Sequence, residues 1–275
     1  MKWPQMADAP RNVRIIGLCA GWASAAAVAV WAFGWWMPKL RHTAAAAIRD
    51  GRIEVIFSDT PRWMTAADIA PLQEMVLREA GRGAYDQVGC AQARAALLGS
   101  GWFTDVSQVR RTGSGDIVID GEFAVPFALV VDAAGEHLID VDGRLLPRSY
   151  LAGTAPAFPR IIGASVPRPA RPGQPWTGAD VAAGMGLARL VESQRWRGQV
   201  IGIDVTAFKD RHVMDLLTDT GCRIVWGRAP GEEAAAEVPA AQKLKYLAYL
   251  HESCGRVDAG CTSQLDLSVD YVGSR

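Results

Sequence analysis

This chain has no excess of charge of either sign. Its 29 lysines and arginines are matched by 29 aspartates and glutamates, so it offers no net basic field for a phosphate backbone, and nucleic acid is excluded as a partner class. Histidine is scarce. His42, His137, His212 and His251 are scattered along 275 residues, and none belongs to an HExxH pair. No GxSxG elbow and no Walker loop occurs either. Asp140-Val-Asp-Gly resembles only the start of a calcium loop, because the glycine comes too early and the closing glutamate is missing.

The five cysteines are also too few and too dispersed for a metal framework. His251, Cys254 and Cys261 could begin a zinc site, but four ligands are normal and no fourth stands nearby. A Cys254–Cys261 disulfide is the alternative in an oxidising space. Cys90 and Cys222 read as buried apolar residues. Without convergent acid, base or nucleophile, the chain reads as a non-enzyme with no cofactor, no metal and no small-molecule substrate.

Long apolar runs are limited to one. From Ile15 to Met37 the sequence IIGLCAGWASAAAVAVWAFGWWM carries no charge. At about 1.5 Å per residue it is long enough to cross a hydrocarbon core of about 30 Å, which predicts a transmembrane helix. A cleaved signal peptide fits less well, since Trp35, Trp36, Pro38, Lys39 and Arg41 separate the run from the small residues Ala44 to Ala47. Charge does not orient the span: Lys2, Arg11 and Arg14 precede it, and Lys39, Arg41, Arg49 and Arg52 come after it. Gly17, Gly21, Ala25 and Ala29 make a small-residue stripe at i+4 spacing, suited to packing on another helix. An alanine-rich span also produces such stripes by chance.

The rest of the chain reads as α+β in two units. Residues 1–14 precede the span and 38–52 link it to the first unit. Within 53–124, RIEVIF is a strand, Thr65 with Asp68 starts a helix, CAQARAALLG is a second helix, and GWFTDVSQVRRT and DIVIDGEF are strands. Residues 125–275 are expected to be mostly β with flanking helices. Seven of the fifteen prolines fall between 147 and 175, marking a loop. Asp219, Thr220 and Gly221 form a hairpin turn, since glycine tolerates the positive φ of tight turns.

QLDLSVDYV, near the C-terminal end, alternates cleanly. Leu265, Leu267, Val269 and Tyr271 share one face, and Asp266, Ser268 and Asp270 the other. With no subsequent hairpin partner, the strand is expected at a sheet edge, where unpaired backbone groups are either protected or reserved for a partner strand. Lys243, in the helix KLKYL, is expected to be exposed beside this strand and to steer an acidic partner segment. Arg110 and Arg111 are expected on a solvated strand face.

In this order, the pieces resemble the FtsQ/DivIB family of bacterial divisome proteins. GWFTDVSQVRR (Gly101 to Arg111) is similar to the passage that closes the second helix of that family's POTRA domain. GEFAVPFALVVDAAGEHLIDVDGRLLP is similar to its Glu-Pro-Ala passage and adjoining turn, here Glu122, Pro126, Ala128, Leu138, Asp140 and Gly143. FPRIIG, TDTGCRIVWG, KLKYL and QLDLSVDYVG resemble later landmarks. Glu122 and Pro126 stand one residue further apart than is common in the family, and Ser268 occupies a usual arginine position.

The resemblance implies a single-pass protein of the inner membrane with a cytoplasmic N-terminus, and with a β-α-α-β-β POTRA domain and a β domain in the periplasm at the division site. It implies a scaffold that does no chemistry and binds FtsB-type and FtsL-type partners, and through them the septal peptidoglycan synthase. Arg110 and Arg111 would then form a docking face. Lys243, Leu265, Leu267, Val269, Tyr271 and Val272 would bind a partner strand by β-augmentation. Two rival readings are a POTRA export or assembly factor that takes client chains by strand addition, and a membrane-anchored envelope enzyme.

Overall fold

Alternation of apolar and polar residues produces the first sheet. The computed structural model describes residues 28, 30, 31, 33–37, 53–81, 86–261 and 263–269. β1 (Val55–Phe57), α1 (Ala66–Glu79), α2 (Gln87–Gly99), β2 (Phe103–Arg111) and β3 (Ile117–Phe123) form a three-stranded sheet in the order β1-β3-β2, with two helices on it. β1 runs parallel to β3 and β2 antiparallel to it. α1 starts where the Thr65 amide and hydroxyl both donate to Asp68 Oδ2, at 2.9 and 2.5 Å, an acidic first turn that suits the helix dipole. Asp86 starts α2 by accepting from the Gly89 amide at 2.8 Å. Leu72 and Val76 of α1 and Ala93 and Leu97 of α2 are buried with Val106, Ile117 and Ile119.

The second sheet holds β4 (Pro126–Asp132), β5 (Gly135–Asp140), β6 (Leu145–Tyr150), β7 (Arg160–Ile162), β8 (Val200–Asp204), β9 (Met214–Thr218), β10 (Arg223–Gly227) and β11 (Gln264–Asp266). Their order in space is β11-β10-β9-β8-β7-β4-β5-β6. The helices of this unit are α3 (Ala179–Glu192), the single turn α4 (Phe208–Arg211) and α5 (Ala240–Cys254). Val181, Met185 and Ala188 of α3 and Leu247 of α5 share a core with Ile161, Ile203, Leu216, Ile224 and Trp226. Each large apolar side chain buried in this way contributes about 1.5–3 kcal/mol.

In the second unit β4–β7, β7–β8 and β10–β11 are parallel pairs, so the sheet is mixed and needs crossover connections such as α3. One expectation is corrected. Among the described residues no helix is long and apolar enough to cross a membrane. Residues 28, 30, 31 and 33–37 are helical. A transmembrane helix over 15–37 is therefore not found among the described residues. Its packing stripe of Gly17, Gly21, Ala25 and Ala29 lies outside the described residues, as do 1–14 and 38–52.

Candidate functional site

β11 occupies the end of the eight-stranded sheet. It pairs parallel to β10 with Arg223 opposite Gln264 and Val225 opposite Asp266. The Arg223 amide donates to the Ser263 carbonyl and the Leu267 amide to the Val225 carbonyl, both at 3.0 Å. Residues 263, 265 and 267 therefore bond inward to β10, and by the alternation of strand backbone the N–H and C=O groups of Gln264 and Asp266 point to the free edge.

The strand is shorter than its side-chain pattern suggests. Asp266 Oδ1 accepts from the Ser268 amide at 2.8 Å and from the Ser268 hydroxyl at 2.6 Å. This local side-chain loop bends the backbone out of the ladder after Leu267. Leu267 stays buried and Leu265 packs against the core, whereas Val269 is 47% exposed. Tyr271 and Val272 lie outside the described residues.

Between β11 and α5 runs a groove of about 470 Å³, lined by Val238, Gln242, Lys243, Tyr246, residues 264–267 and Val269. The structure thus brings Lys243, Leu265, Leu267 and Val269 together at one edge. Gln242 and Tyr246 were not singled out from the sequence, although they stand four residues apart on one helix face. Tyr249, 62% exposed, is also on α5. The groove combines open backbone groups with apolar and aromatic walls, which suits an extended peptide segment.

Lys243 is not the exposed residue expected. It is 1% exposed. Its ammonium donates to the Trp226 carbonyl at 2.5 Å and to Glu237 Oε1 at 2.7 Å, and it lies 5.1 Å from the Trp226 ring centroid. Glu237 in turn accepts from the Arg228 amide at 2.8 Å. The pair joins the end of β10, the loop 228–239 and α5, so Lys243 holds the groove wall in place and is not available to steer a partner. A periodic signal was present: Lys243, Leu247 and Leu250 are the buried residues of α5, at i, i+4 and i+7.

The two arginines of β2 separate in the same way. Arg110 is exposed, 3.6 Å from Asp120. Arg111 folds inward and donates to the carbonyls of Ala80 at 3.0 Å, Gly81 at 2.5 Å and Gly115 at 3.3 Å. It satisfies acceptors at the C-terminal end of α1, leaving only Arg110 on the expected docking face.

One cluster of chemistry-bearing groups lies far from the groove. His137 Nδ1 is 2.8 Å from Ser149 Oγ, and its Nε2 is 2.8 Å from Asp132 Oδ1. Burial alone would raise the Asp132 carboxyl, but hydrogen bonds from His137 and the Ala134 amide outweigh it and hold the group below the usual range. A serine nucleophile would need this histidine to take up a proton. Arg168 Nη1 already lies 3.1 and 3.2 Å from the two ring nitrogens, so a guanidinium crowds the imidazole. His137 is buried, and the groove beside β11 lies elsewhere. The cluster ties the β4–β5 turn to β6.

Of the other histidines, His212 comes directly after α4 in a left-handed conformation, and His251 lies 3.3 Å from Gln199 Nε2. Cys254 is exposed and free. Among the described residues no three His, Cys, Asp or Glu side chains converge on a metal position. No protein-family model matches the chain, and no curated protein matches it.

Proposed function

We propose that this protein is a non-enzymatic docking scaffold that binds an extended segment of a partner along the free edge of β11, over the groove shared with α5. The observation that carries this reading is the coincidence of an unpaired sheet edge with a groove of mixed polar and apolar walls beside it. Backbone pairing would supply affinity, and Tyr246, Leu265 and Val269 would select side chains in the incoming strand. By its resemblance to the FtsQ/DivIB family, the partners are divisome proteins of the FtsB and FtsL type, and the output is control of septal peptidoglycan synthesis.

The test is direct. Gln264→Pro removes an N–H that faces the free edge and is not used to pair with β10, and proline is tolerated on edge strands. Binding of the full chain to the extracellular segments of the co-encoded FtsB-type and FtsL-type proteins is expected to weaken at least tenfold in Gln264→Pro and to stay unchanged in Gln264→Ala. Equal binding by both variants would rule out strand addition at this edge.

A further inference from the structure

The four cysteines among the described residues are free thiols, at positions 90, 222, 254 and 261. Two of them meet. Cys222 is the residue before β10 and Cys261 precedes β11, and register places Arg223 opposite Gln264. The loop between α5 and β11 is anchored to the β9–β10 turn by its own network. Thr220 Oγ1 donates to Asp258 Oδ2 at 2.6 Å, and Arg256 donates to Asp219 at 2.5 Å and to Asp258 at 2.8 Å. Ala259 and Gly260 then take positive φ in succession, and the turn closes with the Cys261 amide donating to the Asp258 carbonyl at 2.8 Å. Cys261 packs against the core cluster that contains Cys222, and each thiol acts on the other's ionisation.

We propose that Cys222 and Cys261 form a redox-sensitive disulfide site that ties the edge strand β11 to the β9–β10 hairpin. This site is independent of the docking reading. The thiols have unequal roles. Cys261 is partly exposed and is held below the usual thiol range by the Ser263 amide and the Cys222 thiol, so its thiolate meets the oxidant. Cys222 is fully buried, and burial pushes its thiol up to about 12, so it reacts second, from within.

The oxidant is a disulfide, either a small molecule or a protein dithiol oxidase. The Cys261 thiolate attacks one of its sulfurs, forming a mixed disulfide and releasing one thiolate. The Cys222 thiol then loses its proton, and its sulfur displaces the second thiol from Cys261. Two protein thiols give up two electrons and two protons, and the reagent disulfide becomes two thiols. The product cross-links the lead-in of β11, the element with the fewest paired residues in the sheet's last three strands, to its neighbour. In an oxidising compartment the site closes, and in a reducing one it stays open.

The full chain is incubated with oxidised glutathione, free thiols are alkylated, and peptides are mapped without reduction. The expected result is a Cys222–Cys261 linked peptide that dithiothreitol removes, with a dithiothreitol-reversible rise in Tm of about 5 °C. Cys261→Ser, checked for folding by circular dichroism, is expected to lose both. A stable glutathione adduct on Cys261 with Cys222 unmodified, two unmodified thiols after oxidation, or a Cys254–Cys261 link would overturn the proposal. If Cys261→Ser does not fold, the map of the unsubstituted chain still decides between these outcomes.

Discussion

The Lys243 ammonium lies 2.7 Å from the Glu237 carboxylate, with both side chains shut away from solvent at the inner wall of the groove. Buried ion pairs of this kind add little over a well-packed apolar pair, yet are costly to break from one side. Lys243→Met is therefore expected to destabilise the protein by about 3 kcal/mol, because Glu237 is left charged and unpaired. The Lys243→Met, Glu237→Gln double variant should recover much of that loss. Urea midpoints for the four members of the cycle measure the coupling, and additive losses would refute it.

Gly227 reaches the same pair from the backbone. It has φ of +96°, and a Cβ there would collide with Glu237 Oε1. Gly227→Ala is expected to cost at least ~1 kcal/mol from backbone strain alone, and more through displacement of Glu237. Thermal melts of this variant should resemble those of Lys243→Met.

On β2 the two neighbouring arginines should behave differently. Arg111→Ala removes charge-assisted bonds to the end of α1 and is expected to cost about 2 kcal/mol. Arg110→Ala breaks only an exposed pair and should stay within ~0.5 kcal/mol. Equal effects in denaturant titrations would mean that the inward turn of Arg111 contributes nothing to stability.

Acid stability should depend on Asp258. The Arg256 guanidinium, with Thr220 and the Gly260 amide assisting, holds its carboxyl far below the usual range against the opposing effect of burial. A depressed folded pKa stabilises above the ordinary aspartate value and loses that contribution as pH falls through and below about 4. Asp258→Asn should therefore lower stability at pH 7 and flatten the acid limb of a pH series of urea midpoints.

Asp140 has the opposite sign. Burial raises its carboxyl despite the Arg144 and Asp142 amides, and Oδ2 is buried without a hydrogen-bond partner. The ionised form is the disfavoured one, so stability attributable to this group falls as pH rises from the ordinary aspartate value through its folded pKa. Asp140→Asn should keep or raise the urea midpoint at pH 7 relative to the unsubstituted chain.

The Ser149–His137–Asp132 cluster should be chemically silent. A fluorophosphonate probe is expected to leave Ser149 unlabelled in the native protein. Labelling lost in His137→Gln would reopen the enzyme reading.

Much of the element order was legible from periodicity, because α1, α2 and the strands around them bury one face each. The β9–β10 hairpin was visible in Asp219, Thr220 and Gly221, and its Gly221 has φ of +86°. The edge position of the last strand could be inferred from the lack of a hairpin partner, and the structure places β11 at the sheet end. Its length could not, since alternation reports side-chain faces and is blind to Asp266 capturing the Ser268 amide. Lys243 was misjudged because charge was weighed above helical spacing. The Cys222–Cys261 meeting depends on a parallel pairing between segments joined by a whole helix, and no local pattern encodes it.

Strands β4 to β6 are covered on both sides. Ala128, Val130 and Ile139 belong to the core under α3, whereas Leu129, Leu138 and Leu146 pack among the side chains of the three-stranded unit. Arg148 adds an ion pair to Asp68 across the same boundary. The two units consequently have no separable interiors. Cutting the chain between 124 and 125 would strip a wall from each half, so heat should melt both in one transition, and a force or ligand acting on either will be felt as strain in the other.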